Sequence, residues 1–94
     1  MAELRALLDD HLARPFPSSV EKGTDYGGVD CVMIGADIYG WASRIADGER
    51  LPHDERVRFE AAAEGLRAAL PAFPDAARSY YRELLDMSDL ALLS

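Results

Sequence analysis

Cysteine, lysine and histidine are nearly missing from this 94-residue chain: it has Cys31, Lys22, His11 and His53 and no others of those types. A lone cysteine excludes an internal disulfide and fits a reducing cytoplasm. Two histidines without HExxH or any other paired-ligand spacing supply no metal motif, so neither a metal nor a cofactor is expected. Long hydrophobic runs are absent too. In the greasiest stretch, residues 28–48, the uninterrupted apolar segment is only Cys31 to Ala36. A membrane-crossing helix needs about 20 apolar residues, and an Asp near the bilayer centre costs about 2.5–3.5 kcal/mol. A membrane span is therefore excluded. Near the start, Glu3, Arg5, Asp9 and Asp10 stand where a secretory signal would need apolar residues. A cytoplasmic location is the expectation.

Positive charge is also scarce. Ten Lys and Arg face seventeen Asp and Glu, a net charge of −7. A nucleic-acid binder gains most of its affinity by neutralising phosphates, and an anionic membrane surface attracts basic segments. Both are disfavoured, whereas a basic protein partner suits the balance. Nine of the ten bases are Arg, which together with abundant Ala suggests a GC-rich bacterial genome.

What is present is helical periodicity, with proline or glycine at each junction. The length fits one helical domain spanning 1–94. In residues 2–13, Leu4, Leu7, Leu8 and Leu12 share one face at the i, i+3, i+4, i+8 spacing. Pro15 stops that helix. Residues 14–28 hold two prolines, two serines and three glycines and read as a long loop, with Phe16, Val20 and Tyr26 as its anchors. Residues 48–70 carry a stripe of Phe59, Ala62, Ala63, Leu66, Ala69 and Leu70, extended by Phe73, with Pro52 at a first helical position and Pro71 as the stop. After Pro74-Asp75, a last stripe runs through Ala77, Tyr80, Tyr81, Leu84, Met87, Ser88 and Ala91. The short link Pro71-Ala72-Phe73 makes these two helices antiparallel neighbours.

The stretch between the loop and Gly48 is ambiguous. VDCVMI, residues 29–34, has the composition of a short buried strand, but nothing else in the chain reads as a strand to pair with it. The reading adopted is a helix over about 29–46, with Asp30 at its start and Gly48 as its stop. On a wheel of about 100° per residue that helix is apolar on nearly all sides, interrupted by one seam of Asp30, Asp37 and Arg44. The fold expected is thus all-α: a four-helix, bundle-like domain around a central, nearly fully apolar helix.

No catalytic constellation emerges. Cys31 reads as inert packing, because Asp30 opposes any lowering of its thiol pKa by the helix end. GTDYGG, residues 23–28, lacks the Lys and Ser/Thr of a phosphate loop and carries Asp25. His11 falls on the leucine face, bonded to a carbonyl or an acid. The seam has two readings. It is a solvated edge, with Asp37 paired to Arg56, Arg78 or Arg82, or Asp37 lines a groove with Met33, Trp41 and Arg44. Two functions follow. The first is a non-enzymatic interaction or regulatory module, using the 14–28 loop and the open side of the central helix, with a protein partner or by self-association. The alternative is a small-ligand-binding protein or minor enzyme using a cleft around Asp37, Trp41 and Arg44, with Tyr26 or His11.

Overall fold

Leu4, Leu8 and His11 recur at intervals of four and three. In the computed structural model, which describes residues 2–93, they form the buried face of the first helix, α1 (Ala2–Ala13). Leu12 lies about 100° further round and is 70% exposed. The expected leucine face is therefore narrower, with His11 in place of Leu12.

The chain from 14 to 32 is not structureless. Val20 is buried, and Phe16 and Tyr26 pack against the core, as anchors should. Asp25–Tyr26 (β1) and Val29–Asp30 (β2) form a two-stranded antiparallel ladder, with Asp25 opposite Asp30 and Tyr26 opposite Val29. Gly27 and Gly28 turn the corner with φ of +58° and +82°. Left-handed φ at both central residues is what a two-residue hairpin of this hand needs.

That hairpin corrects the expected start of the second helix, α2, which runs Met33–Ala46 rather than 29–46. Once the Gly27-Gly28 turn folds the chain back, Val29 and Asp30 bond across the ladder and are lost to the helix. Asp30 still serves the helix from outside: its Oδ1 accepts the Val32 and Met33 N–H groups at 2.9 and 2.8 Å. At the far end Gly48 (φ +93°) donates its N–H to the Ile45 carbonyl and stops the helix. α2 is also less covered than expected. Ile34, Ile38, Ala42 and Ile45 are buried, while Met33, Ala36, Asp37 and Gly40 face solvent. The difference arises because the wheel counts residue types, whereas burial depends on where neighbouring helices sit.

The third helix, α3 (His53–Ala69), buries Phe59, Ala63, Leu66 and Ala69, and Pro52 precedes it as the capping residue rather than its first member. Two single 3₁₀ turns, Leu70–Ala72 and Asp75–Ala77, lead into α4 (Arg78–Leu92). α4 buries Tyr81, Leu84, Leu85, Met87, Ser88 and Ala91. α2 and α4 each pack against all the other helices, and α1 and α3 flank that pair. The result is the expected four-helix, all-α arrangement, with a radius of gyration of 12.7 Å. Phe59, Phe73 and Tyr81 are its largest fully buried side chains, and full burial of such residues stabilises by about 1.5–3 kcal/mol each. Among the described residues no helix is long and apolar enough to cross a membrane.

Candidate functional site

α1 and α2 run antiparallel. Arg5 near the start of α1 bonds Asp47 at the end of α2, and at the other end Leu12 and Val32 line one cleft. Between them lies a groove of about 320 Å³. Leu12 and His11 form its α1 side, and Val32, Gly35, Ala36 and Tyr39 its α2 side; Phe16 comes from the connecting chain and Tyr80 from α4. On the far side of Phe16 a second cleft, about 400 Å³, is lined by Pro15, Pro17, Ser18, Ser19 and Ala76. Arg14 and Tyr80 border both clefts.

The groove is apolar with a polar floor. His11 is only 6% exposed, and its Nδ1 lies 2.7 Å from Oε1 of Glu83 on α4. Glu83 as a carboxylate only accepts, so the hydrogen of this bond rides on Nδ1. Arg14 holds the other side of Glu83 at 3.6 Å and donates to the Ser79 hydroxyl at 3.0 Å and to its carbonyl at 3.3 Å. The His11 and Tyr80 rings lie 4.5 Å apart, and the Arg14 guanidinium sits 5.8 Å over the Tyr80 ring. Burial pushes the Tyr80 phenol above its ordinary value, and the Arg14 charge partly offsets that.

The residues singled out from sequence lie elsewhere. Met33, Asp37, Trp41 and Arg44 share one stripe of α2, on the flank turned toward α3. Met33 is 55% exposed. Asp37 is exposed and has no ion pair among the described residues, so it does not pair with Arg56, Arg78 or Arg82. Trp41 stacks on Phe59 with ring centres 5.3 Å apart. Arg44 makes a bidentate bond to Glu55 at 2.8 and 3.1 Å and a third bond to Glu49 at 2.6 Å. Tyr26 sits apart on the hairpin, 5.1 Å from Phe73, its hydroxyl accepting the Glu21 N–H. None of these five lines the groove or the other two clefts.

A third and larger cleft, about 660 Å³, lies between the end of α2 and the start of α3 and includes Gly48, Arg50, Leu51, His53 and Arg56. His11 and His53 therefore belong to different clefts. Among the described residues no three His, Cys, Asp or Glu side chains gather as metal ligands. Cys31 is fully buried and its thiol donates to the Glu21 carbonyl at 3.2 Å. Sequence reasoning placed His11 on the leucine face and expected a carbonyl or an acid as its partner; the structure supplies the acid. That reasoning missed Glu83, 72 positions away, along with Leu12, Val32 and Tyr39 as groove walls. Compared with protein-family models, curated proteins and solved structures, the chain matches none.

Proposed function

We propose that this chain is a non-enzymatic, cytoplasmic interaction module whose α1–α2 groove docks a cationic, amphipathic segment of a partner protein. The observation that carries the reading is a cluster of exposed apolar side chains. Leu12 (70%) and Val32 (38%) are large hydrophobic residues left exposed, and both wall the groove beside Phe16, Tyr39 and Tyr80. Contiguous apolar surface around a concavity is the usual mark of a docking site. Charge selects the partner. Asp9 and Asp10 on α1 are exposed, and the chain carries a net charge of −7. A second copy would bring a like net charge, whereas a basic segment is drawn toward the acidic chain.

The test is calorimetric titration with a Lys–Leu amphipathic helical peptide and a Lys–Ser peptide of equal charge. Docking predicts that the Lys–Leu peptide binds and the Lys–Ser peptide does not. Leu12→Asp adds an acid to the rim, so purely electrostatic association would tighten; docking predicts that it weakens. Binding that ignores peptide hydrophobicity, or that strengthens in Leu12→Asp, refutes the reading.

The α3-facing flank of α2 supports a second reading, a small-ligand site using Met33, Asp37, Trp41 and Arg44. What favours it is an unpaired, exposed carboxylate one turn from a half-buried tryptophan. A thermal-shift screen of metabolites tests it: a ligand that stabilises the wild type but not Asp37→Ala is the expected result. The absence of any such ligand argues against it.

A further inference from the structure

His11 is more than nine-tenths buried, yet one edge of its ring is unused. Nδ1 is taken by Glu83. Nε2 has no hydrogen-bond partner among the described residues. No buried side-chain nitrogen or oxygen is left unbonded there, so Nε2 is where the ring meets solvent, and His11 lines the groove. When the ring holds a single hydrogen, the bond to Glu83 places it on Nδ1, and Nε2 is then the acceptor. The groove thus has apolar and aromatic walls and one fixed acceptor at its base.

We propose that the groove takes an aromatic side chain with a donor at its rim, a tryptophan or tyrosine of the partner segment, whose N–H or O–H donates to Nε2 of His11. The inference rests on the docking reading above and specifies what anchors the partner. An aliphatic or phenylalanine anchor would cover Nε2 and leave it unsatisfied, which is costly in a dry site. A lysine would donate but would bring its charge beside Arg14, which borders the same groove. An indole or phenol satisfies both demands: its ring lies against Leu12, Val32 and Phe16 and its donor reaches the base. Aromatic anchors with one polar handle are the residues that dominate interface energetics.

The probes are indole and 1-methylindole, which differ in the N–H donor, titrated into ¹⁵N-labelled protein. Indole is expected to shift the amide signals of Gly35, Ala36 and Tyr39. In His11→Phe its affinity should fall about five- to tenfold, the worth of one hydrogen bond, while 1-methylindole changes less than twofold. Glu83→Gln leaves the imidazole in place but frees its tautomer, and the preference for indole should shrink there too. This second variant serves if His11→Phe does not fold. As a further arm, exchanging one leucine of the Lys–Leu peptide for tryptophan should tighten binding about tenfold. Equal effects on both indoles, or shifts outside the groove, overturn the proposal. If the Lys–Leu peptide still binds in a Leu12-dependent way, docking stands and only the aromatic anchor falls. If that peptide does not bind at all, docking itself falls.

Discussion

Gly27→Ala tests how the hairpin is fastened to the helices. A Cβ built at Gly27 would lie 2.9 Å from the Ala69 Cβ, 3.0 Å from the Ala69 Cα and 3.3 Å from the Ala72 Cβ. The first of these distances is one that real Cβ atoms essentially never show, and the second, to backbone, is tighter than nine in ten real Cβ contacts, so the hairpin must move off the end of α3. Overpacking of this kind costs about 1–3 kcal/mol. The φ of +58° adds about 1–2 kcal/mol for a residue with a Cβ. Reduced freedom of the unfolded chain returns about 0.4–1 kcal/mol. The net expectation is a loss of about 2–4 kcal/mol. Gly28→Ala is the internal control. Its φ is +82°, and an added Cβ meets nothing within 4 Å, so it suffers only the conformational strain. Urea denaturation should therefore show Gly27→Ala less stable than Gly28→Ala by about 1–3 kcal/mol. In a domain of this size that gap is roughly 4–20 °C in Tm. If the two variants unfold together within about 0.5 kcal/mol, the tight seating of the hairpin on α3 is wrong.

Four further outcomes follow from buried or paired groups. Tyr81 is fully buried and donates to the Cys31 carbonyl at 2.7 Å, so Tyr81→Phe should cost about 1–3 kcal/mol by equilibrium unfolding; an unchanged midpoint would refute it. Burial pushes the Tyr81 phenol well above its ordinary value. The folded state keeps this proton after the unfolded chain releases it at about pH 10, so stability should fall as pH rises past that point, and less steeply in Tyr81→Phe. The Arg44 guanidinium bonded to Glu55 holds that carboxyl below its ordinary range; its contribution is present at neutral pH and lost on acidification. Carboxyl NMR titration should show a depressed Glu55 midpoint that returns to the ordinary value in Arg44→Gln. Finally, the buried Cys31 thiol should react with a chromogenic disulfide only as fast as the chain opens, and fully in denaturant; rapid native-state reaction would contradict its burial.

Three of the four helices were legible because their periodicity is strong: α1 at 2–13 and the stripes of α3 and α4 follow directly from apolar spacing. The hairpin was not, because two-residue strands have no period to detect and residues 29–34, strand-like in composition, had no second strand run in the sequence to pair with. α2 showed a different limit. Met33, Ala36 and Gly40 count as apolar on a wheel, yet they face solvent. Residue type states what burial would gain, not whether a neighbour is there to bury against. The candidate groove was half legible. His11 could be placed on the buried face of α1, but its carboxylate lies on α4 and its walls on α2 and the connection, and such juxtapositions exist only after folding.

α4 packs against α1, α2 and α3, yet it is the last of the four helices to be synthesised. On a ribosome, α1 through α3 must wait with their inner faces uncovered until Tyr81, Leu84 and Met87 emerge, because nothing earlier in the chain supplies those contacts. The nascent chain thus passes through a long interval in which its apolar stripes are open to water and to other chains. A truncation that ends before residue 78 should leave a polypeptide that aggregates or binds chaperones rather than a smaller folded body.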